Sequence, residues 1–107
     1  MKILNLILLI SFFKVLNGQS SSLSGKVIDA SNGTPLIGAN VMIDGTSLGA
    51  ATDKSGKYLI EDLKEGEYDI TVSYIGYKDY KKSFKINSNQ QLVKDLELQP
   101  EAIEMET

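Results

Sequence analysis

The chain has 107 residues, a formal charge of −3 and neither cysteine nor histidine. One domain fits that length, and the missing residue types exclude disulfides, thiol nucleophiles, thiolate or imidazole metal sites and the commonest general base. All eleven basic residues are lysines, so bidentate guanidinium recognition of phosphate or carboxylate is excluded, and a mildly acidic domain without arginine is expected to be a poor nucleic-acid binder, with no nucleic acid as partner.

Met1-Lys2 and the apolar run Ile3 to Phe13, interrupted by Lys14, have the charge and length of a secretory leader. Leu16-Asn17-Gly18 places a small residue ahead of Gln19, as a cleavage site requires. The run is too short for a spanning helix, which needs about 20 apolar residues. The spacing predicts a cleavable signal peptide over 1–18 and an exported protein. Taking 18 from 107 leaves 89 residues, and losing Lys2 and Lys14 moves the charge from −3 to −5. A domain of that size buries roughly 60–65% of its unfolded surface, enough for one thin core. Residues 19–22 form a polar tail with no structural pattern, expected to be disordered.

Leu23 to Asp29 alternates as a first strand, and Ala30-Ser31-Asn32-Gly33 supplies residues suited to a turn. Thr34 is extended because Pro35 disfavours helix in its predecessor. Ala39, Val41 and Ile43 share one face, with Asn40, Met42 and Asp44 on the other. Gly45-Thr46 turns into a short strand, Ser47 to Thr52. Asp53-Lys54-Ser55-Gly56 has the chemistry of a type I turn closed by a left-handed glycine, and Lys57 to Ile60 leaves it as the next strand. Glu61 to Gly66 is a polar connection anchored by Leu63.

Tyr68, Ile70, Val72 and Tyr74 then alternate with Asp69, Thr71 and Ser73, the clearest strand in the chain. Gly76 marks a bend. In Tyr80 to Ile86, Phe84 and Ile86 point inward while Lys81, Ser83 and Lys85 point outward. Asn87 to Asn89 turns, and Gln91 to Leu98 forms the last strand through Leu92, Leu96 and Leu98. About seven strands over 23–98, with no helix after the leader, predict an antiparallel β-sandwich. Residues 99–107 read as an acidic linker or a truncated continuation.

Asp53-Lys54-Ser55 echoes the start of a calcium loop. Counting from Asp53, however, the sixth position is Tyr58 where glycine is required, and the twelfth is Lys64 in place of the bidentate glutamate. Turn chemistry accounts for every residue there, so no metal is expected. The carboxylates Asp44, Asp53, Glu61, Asp62, Glu65, Glu67 and Asp69 fall in turns or at outward positions rather than across a cleft, where a hydrolytic pair needs one of them buried. Ser55 and Ser73 have no activating histidine. The chain is expected to be non-enzymatic, with no catalytic residue and no cofactor.

Tyr68, Tyr74 and Phe84 are read as core. Tyr77 and Tyr80, flanking the glycine bend, are the residues placed to contact a partner or ligand. Lys78, Lys81, Lys82 and Lys85 are read chiefly as a solvated strand edge guarded against edge pairing, with a partner patch as the minority reading.

The linked string Gly25 to Asp29, Thr34 to Val41, Gly45-Thr46, Gly49, Thr52-Asp53, Gly56 to Tyr58, Leu63, Gly66 to Tyr68 and Val72 to Tyr77 resembles the carboxypeptidase regulatory-like domain, a transthyretin-like (prealbumin-like) β-sandwich. The resemblance covers about Leu23 to Leu98. In Bacteroidetes-type bacteria such a domain often sits between a signal peptide and the plug of a TonB-dependent outer-membrane receptor. It therefore implies a non-catalytic accessory or interaction domain of a nutrient-uptake receptor at the periplasm and outer membrane. Its partner would be an envelope protein or the rest of the receptor chain, and the outer membrane would be reached only through a barrel absent here. The alternative is a free-standing secreted or cell-surface module that binds carbohydrate or mediates adhesion, with a glycan on Tyr77 and Tyr80. No catalytic residue is carried over, because the metallocarboxypeptidases that carry this domain hold their active site elsewhere.

Overall fold

In a computed structural model of the protein, residues 20–101 are described. The expected signal peptide at 1–18 and the tail end, 102–107, lie outside the described residues. Among the described residues there are eight strands: β1 (Ser21–Asp29), β2 (Asn40–Ile43), β3 (Gly49–Ala51), β4 (Lys57–Leu63), β5 (Gly66–Ser73), β6 (Tyr80–Ile86), β7 (Gln91–Val93) and β8 (Leu96–Leu98). One sheet has the order β4-β1-β7, with β8 also paired to β1. The other has the order β3-β2-β5-β6.

Alternation builds the core between them. Val41 and Ile43 of β2, Ile70 and Val72 of β5, and Phe84 and Ile86 of β6 face Leu23 and Val27 of β1, Tyr58, Ile60 and Leu63 of β4, and Leu96 and Leu98 of β8. Each fully buried aliphatic side chain contributes roughly 1.5–3 kcal/mol. Tyr68 and Tyr74, expected inside, are half-buried against this cluster.

The sandwich is as expected from the sequence, and so is the parity of β2, β5 and β6. Two particulars differ. The run Gln91 to Leu98 is two strands, and both lie parallel to β1, so this sheet is mixed where the sequence predicted antiparallel pairing throughout. The break falls at Lys94-Asp95, which step across Gly25. The Lys94 N–H donates to the Ser24 carbonyl (2.7 Å), and the Asp95 carboxylate accepts the Lys26 N–H (2.9 Å). A Cβ on Gly25 would lie 1.9 Å from the Lys94 carbonyl oxygen, so only glycine admits the crossing. Leu92, Leu96 and Leu98 keep one parity across the break, which is why alternation alone reads as a single strand.

The second difference is at the start. Ser21 and Ser22, expected in a disordered tail, begin β1. Ser21 faces Leu63 and Ser22 faces Gln91, while the Ser21 hydroxyl donates to the Asn87 carbonyl (2.6 Å) and accepts the Gln90 N–H. β4 correspondingly continues past Ile60 to Leu63, over a register shift and an Asp62 at φ 60°.

Candidate functional site

The turns of the string resolve into specific bonds. The Asp53 carboxylate accepts the N–H groups of Lys57 (2.9 Å) and Ser55 (2.8 Å), and these, Lys57 first, hold its pKa below the ordinary carboxylate value. Gly56 completes the turn at φ +76°, with Pro35 and the Val27 carbonyl too close to admit a Cβ. Thr52, buried, is a latch: its hydroxyl donates to the Leu36 carbonyl and accepts the Ala39 N–H (2.8 Å), fastening the segment before β2. Asp44 accepts the Thr71 hydroxyl, and Asp69 accepts the Ser83 hydroxyl. Among the described residues no three acidic side chains converge as metal ligands would.

Tyr77 and Tyr80 have different surroundings. Tyr77 is half-buried, and its hydroxyl donates to the Asp29 carboxylate at the end of β1 (2.5 Å). Asp29 also accepts the hydroxyl and N–H of Ser31. The Ser31 hydroxyl first, and Tyr77 second, hold Asp29 below the usual carboxylate range, while the bond to Asp29 raises Tyr77. The Tyr77 ring leans on Tyr74, centroids 5.5 Å apart and planes at 52°. Gly76, at φ +85°, makes the turn between them and leaves Ile75 91% exposed. The departing chain is bound here too: Lys78 N–H donates to Gln99 O, and Glu101 N–H to Gly76 O.

Tyr80 opens β6 opposite Val72 and lines a groove of about 380 Å³ between β6 and the β7–β8 run, with Lys82, Phe84, Lys85 and Leu96. Lys82 shares the inward parity of Tyr80, Phe84 and Ile86 and pairs across from the buried Ile70. Outward parity of Lys81, Ser83 and Lys85 was legible in the sequence. From the sequence Lys82 reads only as part of a solvated edge; a lysine interrupting an otherwise apolar inward row is the signal that could have pointed to this groove.

A larger groove, about 540 Å³, crosses the outer face of the first sheet over Ser24, with Leu59 and Val93 on either side, 52% and 66% exposed. Inside that sheet Tyr58 lies across from Gly25 and donates its hydroxyl to the Lys94 carbonyl (2.7 Å). Burial, and then the negative charge of Asp95, push the Tyr58 hydroxyl far above its ordinary pKa. Nothing in the spacing of the chain singled out this contact.

Fold and bonding together define a small β-sandwich module whose carboxylates and hydroxyls organise turns and strand ends. More particularly, the chain belongs to the CarboxypepD_reg-like domain family, whose model matches residues 23–107, as the resemblance of the turn string implied. It is 35% identical over 85 residues to the TonB-dependent receptor SusC of Bacteroides thetaiotaomicron, covering 79% of this chain and 8% of that receptor. It is likewise 35% identical over 94 residues to the TonB-dependent receptor P39 of Formosa agariphila, covering 88% of this chain and 9% of the receptor. The chain thus spans less than a tenth of these relatives. Among solved structures, a chain of a type II cohesin–X-dockerin complex from Acetivibrio cellulolyticus superposes with a TM-score of 0.61 at 21% identity, over 75% of this chain and 58% of that one. That likeness shows the sandwich fold.

Proposed function

We propose that this chain serves as a non-catalytic accessory domain of a TonB-dependent outer-membrane nutrient-uptake receptor, exported and facing the periplasm. Its contact with an envelope protein or with the rest of the receptor runs through an exposed strand edge. The observation that carries this reading is the match of most of the chain to two TonB-dependent receptors. The engagement of Asp44, Asp53 and Asp69 in turns and cross-strand bonds supports a binding role over a chemical one. Free edges supply main-chain donors and acceptors to an added strand. The glycan reading of Tyr77 and Tyr80 is the weaker one, because the Tyr77 hydroxyl is committed to Asp29.

The test is an in-frame deletion of residues 20–101 from the receptor that carries them, with uptake and outer-membrane abundance measured together. Reduced uptake at unchanged abundance is expected. Unchanged uptake overturns the accessory role.

A further inference from the structure

Resting on the reading that contact runs through a strand edge, we propose that the edge is β6 and that its occupant is an extended segment of another polypeptide carrying acidic residues. Among the described residues β6 ends its sheet, so one side of its seven-residue backbone faces no strand of those residues. β4 is as long and also ends a sheet, but Asp62, at φ 60°, interrupts its extended course. The remaining edge strands β3, β7 and β8 have three residues each.

Charge separates β6 from the rest of the molecule. Residues 78–94 hold Lys78, Lys81, Lys82, Lys85 and Lys94 against Asp79 alone, a surplus of four positive charges in a chain whose total is −3. Three of these lysines, Lys82, Lys85 and Lys94, line the groove beside the free edge with the rings of Tyr80 and Phe84. Asp95, the one acid lining it, is bonded to the Lys26 N–H. Lys81 and Lys85 share the outer face, four residues apart, but there Glu67 lies across from Lys85 and Asp44 and Asp69 line a recess with Lys81, so the unopposed positive charge is on the groove side, where Lys82 has the inward parity.

An inward lysine on an edge strand protects against indiscriminate pairing, because an apolar strand laid against it must strip water from the ammonium group. The same lysine favours a strand that brings a carboxylate to that position. Lys82 is therefore a selector as well as a guard. It admits segments with an acidic residue facing the groove, where Lys94 adds to the attraction, while the main chains pair.

The probe is a capped nonapeptide of alternating glutamate and valine, titrated against the purified chain with backbone amides followed by NMR. Controls are the same peptide with lysine for glutamate, and with alternate amides N-methylated. The expected result has four parts: shifts concentrated on Tyr80 to Ile86; affinity falling several-fold between 50 and 300 mM salt; at least tenfold weaker binding in Lys82→Glu, with a smaller loss in Lys82→Ala; and no change in Lys26→Glu on the other sheet. Equal binding of the lysine peptide or the N-methylated peptide overturns the proposal, as does undiminished binding by both Lys82 variants. Self-association through this edge, seen as a concentration-dependent dimer in sedimentation, overturns the choice of occupant. Failure of the peptide to bind, together with reduced uptake on deleting residues 20–101, sinks this inference and leaves the accessory role standing.

Discussion

β1 and β6 illustrate two ways of treating a strand. β1 lies inside its sheet, gripped by β4 on one flank and by β7 and β8 on the other. At Gly25 it is approached so closely that no side chain fits. Among the described residues β6 ends its sheet, pairs only with β5 and carries lysines where β1 carries backbone contacts. Steric specificity is concentrated where the chain is enclosed, and charge where it is open. Substitutions along β1 should therefore be felt in stability, and those along β6 in binding.

Replacing Gly25 by valine strikes the enclosed strand hardest. With the Lys94 carbonyl 1.9 Å from the new Cβ, a loss of more than about 3 kcal/mol is expected, seen as a melting temperature lower by roughly 12 °C or more. A variant that melts within about 3 °C of the parent would mean that the crossing can move aside. Thr52→Val comes next, since the Ala39 N–H and the Leu36 carbonyl both lose their partner. About 2–3 kcal/mol in urea denaturation is expected. Tyr58→Phe should cost about 1–2 kcal/mol, leaving the Lys94 carbonyl without its donor. It should also flatten the alkaline limb of stability.

The pH dependence tests the contacts around β1 from another direction. Asp29 and Asp53 have lowered pKa values in the fold. Their contribution is present above the ordinary carboxylate value and is lost as pH falls through the lowered ones, so denaturation midpoints should decline below about pH 4. Asp29→Asn should make that decline shallower. Tyr58 and Tyr77 are raised, so their contribution holds below the ordinary tyrosine value and fades as pH climbs past about 10. The smallest stability effect belongs to β6: Lys81→Glu with Lys85→Glu should shift unfolding by less than about 0.5 kcal/mol. A large destabilisation there would erase the contrast between the two strands.

Much of this was legible in the residues. Tyr68 to Tyr74 could be nothing but a strand, the Asp53 turn formed as its chemistry dictates, and the string of glycines and turn residues identified the family before any coordinates. Of the candidate site, the lysines were visible as an edge, but their shared groove was not. Lys82 and Lys94 are twelve positions apart in sequence and meet only because β6 and the β7–β8 run border the same opening.

By itself, then, the sequence determined which face each residue takes, where the chain reverses and which family it belongs to, because period-2 alternation and turn chemistry act over a few neighbouring residues. Only the tertiary structure decided the partner and direction of each strand. Alternation carries no information about what lies alongside, and the bonds that settle it, such as the Lys26 N–H to Asp95 and the Ser21 hydroxyl to Asn87, join residues more than sixty positions apart.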